Sequence, residues 1–340
     1  MKNLKKNSII LLIITFVVLV CVLKDDFPSI IETLKNANFF WIVIALLCFF
    51  IAIAFEARAY QEIIQGYAYK YQFKQAYKML LITKFFNGIT PFSSGGQPMQ
   101  IYMLKKDGVR LTKATNIIIQ NFIIYQAALV AFGLIAIIIN YYLELFTDIT
   151  LLKQLVTIGF IVNTLVMVGL IIISFSSKFN HFMIQKGISI LSKLKLVKNK
   201  EEKQKEWREK VDDFHEGSIY LRQNKGLCIR TFIYNIIYLF LTYLMPYFVI
   251  LALAKGEVNI TPLTSICASA YVLIIGSFVP IPGASGGIEF GYLKFFGNFV
   301  TGSLLKASLL IWRSISYYLP MIIGGVLFST NTRKEDIKCE

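Results

Sequence analysis

The sequence predicts an all-α, polytopic integral membrane protein. Of the 340 residues, 56% are hydrophobic and only 16% are charged, and the mean hydropathy is +0.61. Soluble domains are usually about 45–50% apolar and about 25% charged. The composition therefore excludes a soluble enzyme, a disordered chain and a disulfide-stapled secreted domain as default interpretations. We expect about seven or eight membrane segments, of which two are broken by Gly and Pro and enter the membrane without crossing it.

Long apolar runs mark the membrane segments, because a helix needs about 20 mostly apolar residues to cross the hydrocarbon core. These runs are 8–23, 38–55, 115–140, 154–175, 227–254, 260–280 and 303–328. No small-residue cleavage site follows the first run, so it is interpreted as an uncleaved span rather than a signal peptide. The stretches 79–98 and 281–300 are also apolar, but Gly and Pro interrupt them.

The distribution of Lys and Arg predicts the orientation of the chain. The net charge is +15, and the basic residues lie mainly in loops, so the positive-inside rule explains the charge better than nucleic-acid binding does. The basic loops 56–78 and 105–113 flank the stretch 79–98. Both loops are therefore placed in the cytoplasm, and 79–98 has to enter the membrane and return. The same rule places both termini in the cytoplasm.

The charges leave two arrangements open for the second half. In one, 260–300 enters from the outer side and returns there, so that 281–300 is also re-entrant. In the other, 260–328 makes three full crossings. The predicted regions are a first membrane half, a cytoplasmic amphipathic and basic linker, a second membrane half and a cytoplasmic tail: 1–176, 177–226, 227–330 and 331–340.

The two interrupted stretches share the motif Pro-x-x-Ser-Gly-Gly. Residues 91–96 read PFSSGG, and residues 282–287 read PGASGG, 191 positions later (282 − 91). The two stretches are also predicted to enter the membrane from opposite sides. A shared motif in this arrangement indicates an inverted repeat with discontinuous helices, a plan common in secondary transporters. Pro and Gly-Gly break the helix, and the N–H groups at the start of the next half-helix, with the serine hydroxyls, form a candidate phosphate site. The alternative is a tight turn that only allows close helix packing.

Ionisable residues inside apolar runs are costly and are therefore functional candidates. Arg313 lies in the middle of the last run, and Glu289 follows the second motif. One hypothesis places both in a polar cavity, where Arg313 binds a headgroup phosphate through two hydrogen bonds. The alternative is a structural ion pair that fixes helix register. For Lys84 and Lys306 the simpler expectation is that the side chain reaches the membrane interface. The secondary site candidates are Lys84, Glu56 and Arg58.

Three stretches resemble one known family. They are FNGITPFSSGGQPMQIYMLKKDGV (86–109), FVPIPGASGGIEFGY (278–292) and LLIWRSISYYLPMIIGG (309–325). They are similar to the lysylphosphatidylglycerol synthase transmembrane-region family, the flippase-like half of the multiple peptide resistance factor. The similarity follows almost the whole chain in order.

This resemblance implies lipid translocation or lipid binding and a link to antibiotic resistance. In longer family members, a soluble acyltransferase-like domain moves lysine from lysyl-tRNA onto phosphatidylglycerol. The chain ends at Glu340 soon after its last span, so the sequence is expected to lack that catalytic domain. The substrate-binding candidates that the motifs carry over are Pro91, Ser93, Ser94, Gly95, Gly96, Gln97, Pro282, Gly283, Ser285, Gly286, Gly287, Glu289 and Arg313.

The leading functional expectation, which follows from the resemblance, is a phospholipid translocase of a bacterial inner membrane, without enzyme activity and with lysyl-phosphatidylglycerol as one candidate cargo. A membrane component of a phosphatidylglycerol lysyltransferase system, working with a separate aminoacyl-transferase chain, is one alternative. A non-lipid secondary transporter is another, although intramembrane carboxylates are scarce. No cofactor and no metal are expected, because two His and five scattered Cys form no ligand pattern. The sequence leaves open the lipid, the direction, the driving force and the oligomeric state, including a homo-oligomer.

Overall fold

The protein is described here by a computed structural model. It covers residues 27–67, 69–146, 150–175, 219–220, 223–254 and 258–336, with the single positions 186 and 205. Within these ranges the chain is helical and contains no strand, which confirms the predicted all-α class. The predicted span 8–23 and most of the predicted linker 177–226 lie outside the described residues.

Eleven helices follow one another in the described ranges. They are α1 (Phe27–Lys35), α2 (Phe39–Gly66), α3 (Phe73–Gly88), α4 (Gly96–Lys106), α5 (Leu111–Leu143), α6 (Thr150–Phe175), α7 (Lys225–Leu253), α8 (Pro262–Gly276), α9 (Gly287–Phe296), α10 (Gly302–Arg313) and α11 (Leu319–Asp336). One-turn 3₁₀ segments, Pro91–Ser93 and Pro282–Ala284, precede α4 and α9. A π-helical turn, Ser314–Tyr318, joins α10 to α11, and α11 continues into the predicted tail.

Five helical stretches are long and apolar enough to cross a membrane. They are Phe39–Gly66, Leu111–Leu143, Leu152–Ser174, Lys225–Leu253 and Gly302–Thr330. The run 260–280 behaves differently, because α8 has only 15 residues and rises about 22 Å. This length is shorter than the hydrocarbon core of about 30 Å. By its length alone, α8 is therefore too short to cross a membrane.

Helices α2 and α7 are antiparallel neighbours, and their contacts define the two ends of the molecule. At one end, Nε of Arg230 on α7 donates to Oε2 of Glu62 on α2 at 2.7 Å. At the other end, the backbone N–H of Asn38, which caps α2, donates to the carbonyl of Ala252 at 2.6 Å. The Glu62–Arg230 contact marks one end of the molecule and the Asn38–Ala252 contact marks the other. The two hairpins described below are located relative to these two ends.

Helices α3 and α4 pack together as a first hairpin that starts and finishes near Glu62. Nε2 of Gln61 on α2 donates to the carbonyl of Tyr71, just before α3, at 3.0 Å. The Tyr71 hydroxyl donates to Oδ2 of Asp107, just after α4, at 3.0 Å. Burial raises the pKa of the Tyr71 phenol, and Asp107 raises it further, so the phenol keeps its proton. This end is called the basic end, because Lys70, Lys105, Lys106, Arg110 and Lys113 lie in its loops or in the adjoining turns of α4 and α5.

Helices α8 and α9 pack together as a second hairpin that starts and finishes at the opposite end. The hairpin begins shortly after Ala252 and is followed by α10. On α1, which precedes Asn38, the Thr33 hydroxyl donates to Oγ of Ser303 at the start of α10, at 3.1 Å. The two hairpins therefore enter the bundle from opposite ends.

The tips of the two hairpins contact each other. The segments Pro91–Ser93 and Pro282–Ala284 pack together, and both have left-handed backbone at the same two motif positions. These φ values are +53° at Phe92 and Ser93, +63° at Gly283 and +51° at Ala284. Non-glycine residues seldom adopt this conformation. Its recurrence 191 positions apart shows the repeat in the backbone as well as in the sequence.

Candidate functional site

The candidate site is the meeting point of the two tips, and it contains a buried ion pair. Nε of Arg313, at the end of α10, donates to Oε1 of Glu289 on α9 at 2.7 Å. Nη2 of Arg313 donates to the carbonyl of Gly283 in the second tip at 3.1 Å. The side chains of Arg313 and Glu289 are only 3% and 1% exposed. The two charges that the sequence singled out therefore lie together.

Glu289 also holds the beginning of its own helix. Its second carboxylate oxygen, Oε2, accepts a hydrogen bond from the backbone N–H of Gly286 at 2.7 Å. This is a capping contact, and the carboxylate charge lies at the partly positive start of α9. Buried ion pairs are tolerated when further hydrogen bonds satisfy the charged groups. One carboxylate therefore joins the second tip, α9 and α10.

Tyr317, in the π-helical turn, contacts both hairpins. Its hydroxyl donates to the carbonyl of Gly88 at the end of α3, at 2.9 Å. The guanidinium carbon of Arg313 lies 4.5 Å from the centroid of its ring, and a Cβ on Gly283 would overlap that ring. Sequence reasoning missed Tyr317. Two features of the sequence could have pointed to Tyr317. It lies four residues after Arg313, on the same helix face, and it belongs to the stretch 309–325 that resembles the family.

The first tip closes the beginning of α4 with its own side chains. The N–H of Gly95 donates to Oγ1 of Thr90 at 2.8 Å, and the N–H of Gly96 donates to Oδ1 of Asn87 at 2.9 Å. The Ser94 hydroxyl donates to the carbonyl of Pro91 at 2.9 Å. The N–H groups that the sequence offered as a phosphate site are thus engaged by the chain itself, as is that of Gly286 in the second tip.

The two tips differ in what they present at their surfaces. In the first tip, Phe92 is 63% exposed, and its exposed neighbours are Pro91, Ser93, Ser94 and Gln97. In the second tip, Gly283 and Ser285 are buried, and the Ser285 hydroxyl donates to the carbonyl of Pro282 at 3.2 Å. Gly287 lies so close to Val279 that a Cβ would overlap its side chain. The motif candidates are therefore brought together in two tips of unequal exposure.

The secondary candidates lie apart from the tips. Nζ of Lys84 on α3 donates to Oε2 of Glu56 on α2 at 2.9 Å and to the Tyr238 hydroxyl on α7 at 3.2 Å. The structure gives Lys84 this interior partner in place of the interface position that was the simpler expectation. Arg58 is exposed, donates to Oε1 of Gln61 at 2.8 Å and joins neither ion pair.

Long apolar helices that surround two opposed, interrupted hairpins define a polytopic helical membrane protein with discontinuous helices. The chain belongs to the lysylphosphatidylglycerol synthase transmembrane-region family, whose family model matches residues 8–324. This match confirms the resemblance found in the motifs.

Relatives of similar length include membrane proteins from archaea. A UPF0104 membrane protein of Methanocaldococcus jannaschii is 23% identical over 98% of this chain and 97% of its own length. Another UPF0104 membrane protein, from Archaeoglobus fulgidus, is 23% identical over 87% of this chain and 88% of its own length. An uncharacterized MG306 homolog of Mycoplasma pneumoniae is 21% identical over 89% of this chain and 80% of its own length. The similarity therefore extends over nearly the whole membrane region.

Proposed function

We propose that the protein binds phospholipids where the hairpin tips meet and moves them between the leaflets of a cytoplasmic membrane. The observation that carries this proposal is the contact between two tips that enter from opposite ends. Interrupted helices that meet inside a bundle place a single interior site within reach of both sides. Non-helical backbone at such a depth is tolerated where protein or a water-filled cavity surrounds it.

The exposed groups of the first tip suit a phospholipid headgroup. Ser93, Ser94 and Gln97 are exposed and offer hydrogen bonds. An arriving phosphate would compete with Thr90 and Asn87 for the N–H groups of Gly95 and Gly96, which form the partly positive start of α4. The guanidinium of Arg313 already faces the Glu289 carboxylate at 2.7 Å, so its charge is offset, and the groups of the first tip make the headgroup contacts in this proposal. Lysyl-phosphatidylglycerol is one cargo that the family description suggests.

The positive-inside rule places the basic end in the cytoplasm. Under the proposal, both termini lie on that side of the membrane. A headgroup would then travel between the cytoplasmic leaflet and the site from the basic end, and between the site and the outer leaflet from the opposite end.

The family description also favours one second candidate function. The protein would act as the membrane component of a phosphatidylglycerol lysyltransferase system, and a separate aminoacyl-transferase chain would supply the catalysis. Co-expression with such a chain and measurement of lysyl-phosphatidylglycerol by mass spectrometry tests this candidate. Formation of the product by the soluble chain alone, at an equal rate, would reject it.

Fluorescent phospholipid transfer between leaflets of reconstituted liposomes tests the leading proposal. We expect protein-bearing vesicles to exchange lipid faster than empty vesicles. Tyr317→Phe removes the hydrogen bond to the Gly88 carbonyl, and we expect it to lower the rate about fivefold, equivalent to ~1 kcal/mol for one hydrogen bond. The matched control is Tyr141→Phe, because Tyr141 is 78% exposed and far from the tips along the chain.

Two results of the liposome experiment would contradict the proposal. Equal exchange in empty and protein-bearing vesicles would reject lipid movement altogether. Wild-type exchange rates in Tyr317→Phe, with the protein equally folded and reconstituted, would reject a role for the contact between the tips.

A further inference from the structure

A second polar region lies between α2, α3, α4, α5 and α7. Its centre is the Lys84–Glu56 ion pair with the Tyr238 hydroxyl, at 2.9 and 3.2 Å. Beside it, the Tyr60 hydroxyl on α2 donates to Oε1 of Gln100 on α4 at 3.2 Å. Four of these helices, α2, α3, α4 and α7, thus direct polar groups into one part of the interior, and the proposed movement of lipid at the tips uses none of these groups.

Four buried side chains in this region carry a polar atom without a hydrogen-bond partner among the described residues. These atoms are Gln120 Nε2, Asn121 Oδ1, Thr231 Oγ1 and Asn235 Oδ1. None of the four residues is more than 2% exposed. An unpaired buried polar group costs about 1–3 kcal/mol. Several such groups in one place indicate a site for bound water.

Three of the four unpaired groups lie on stripes that lead from the basic end toward the ion pair. On α7, Thr231, Asn235 and Tyr238 are spaced four and then three residues apart, so they share one face. The rise of the helix places Thr231 about 9 Å and Tyr238 about 20 Å from Lys225 at the basic end. On α5, Asn121 and Tyr125 are also four residues apart, and the Tyr125 and Tyr238 rings lie 6.3 Å apart.

The exposure of the ion pair also indicates water. The side chains of Lys84 and Glu56 are 20% and 14% exposed, although Glu56 lies ten residues, or about 15 Å, from the end of α2 at Gly66. Charged groups at such a depth are costly against hydrocarbon and face protein or water-filled cavities. By comparison, the side chains of Arg313 and Glu289 are only 3% and 1% exposed.

We propose that a water-filled polar pathway enters the protein from the basic end and stops at the Lys84–Glu56 pair. Water molecules there bond to the four unpaired atoms and bring protons within reach of Glu56 but not of Glu289. The titratable groups that face Glu56 are Tyr60 on its own helix, Lys84 on α3, Tyr125 on α5 and Tyr238 on α7. Helix α4 contributes the neutral Gln100. The pathway is independent of the identity of any transported molecule.

Radiolytic hydroxyl-radical footprinting of the wild-type protein in lipid nanodiscs tests the pathway without any substitution, because bound water generates the radicals locally. Tyr60 and Tyr271 are a matched pair of buried phenols, 6% and 3% exposed. Tyr271 packs against the rings of Phe146 and Phe295. We expect oxidation of Tyr60 to be several-fold faster than that of Tyr271. Equal rates would overturn the proposal.

Cysteine labelling gives a second, independent measurement. In a background without native cysteines, Asn235→Cys and Met245→Cys place thiols on α7 at positions that are 0% and 1% exposed. Met245 lies seven residues, or about 10 Å, beyond Tyr238 and therefore past the end of the pathway. The thiolate that reacts with a charged methanethiosulfonate reagent forms only where water is present. We expect Asn235→Cys to react several-fold faster than Met245→Cys. Equal reaction of both would contradict a pathway that stops at the Lys84–Glu56 pair, and the wild-type footprint decides the case if either variant fails to fold.

Discussion

Glu289→Gln is expected to lower the free energy of unfolding by about 3–5 kcal/mol, because Arg313 is then buried without its counter-charge. Glutamine has nearly the same shape but removes the charge that faces the guanidinium at 2.7 Å. It also weakens the acceptor for the N–H of Gly286. Unfolding in mixed micelles, followed by circular dichroism as the fraction of denaturing detergent increases, measures the loss.

The matched control for Glu289→Gln is Glu62→Gln. Glu62 forms a pair of the same length with Arg230, at 2.7 Å, but these side chains are 22% and 58% exposed. Exposed pairs contribute about 0–1 kcal/mol, so this variant should unfold almost as the wild type does. Equal losses for the two variants would show that burial at the tips does not determine the strength of the Arg313–Glu289 pair.

Gly283→Ala is expected to destabilise the contact between the tips and to slow lipid exchange in liposomes. Two effects act together at this position. The backbone φ of +63° costs a non-glycine residue about 1–2 kcal/mol. The new methyl group overlaps the ring of Tyr317, and such overpacking costs about 1–3 kcal/mol.

Gly286→Ala separates these two effects. Gly286 has a φ of +87°, but a Cβ there would meet nothing within 4 Å. It should therefore show the backbone cost alone, about 1–3 kcal/mol, and keep most of the exchange activity. If Gly283→Ala and Gly286→Ala lowered stability and lipid exchange equally, the close packing of Tyr317 on the second tip would not contribute to function.

The sequence offers strong local signals for the interrupted segments and for the two buried charges. It leaves open whether 281–300 is re-entrant and whether Arg313 and Glu289 form a structural ion pair or a phosphate site. Pro and Gly within an apolar run require a break, and basic loops on both flanks of 79–98 require a return. Arg313 and Glu289 were recognised because a charge in a long apolar run is too costly without a role.

Other parts of the site depend on contacts between residues far apart in sequence. The hydrogen bond from Tyr317 to Gly88 joins residues 229 positions apart, and that from Lys84 to Tyr238 joins residues 154 apart. Without these partners, Lys84 resembles any lysine that extends to an interface. Asn121 and Asn235 are polar but uncharged, so neither hydropathy nor net charge distinguishes them in the sequence. The second polar region was therefore not predicted.

The repeat is conserved in backbone form and not in its chemistry. Glu289 caps α9, but the residue 191 positions earlier is Pro98, and Asn87 and Thr90 cap α4 instead. The inverted repeat therefore gives two similar turns that different side chains hold in place. Because Pro98 offers no carboxylate, the first hairpin has no counterpart of the Glu289 side of the Arg313–Glu289 ion pair.

The contact of two opposed hairpins around Tyr317 underlies both the site and its proposed function, and photo-crosslinking tests it directly. With p-azidophenylalanine in place of Tyr317, ultraviolet light should join position 317 to the peptide that contains Gly88 as well as to the peptide that contains Gly283, as mass spectrometry of the digested protein would show. Crosslinks to the second hairpin and to lipid, with none to residues 85–92, would contradict the meeting of the two hairpins.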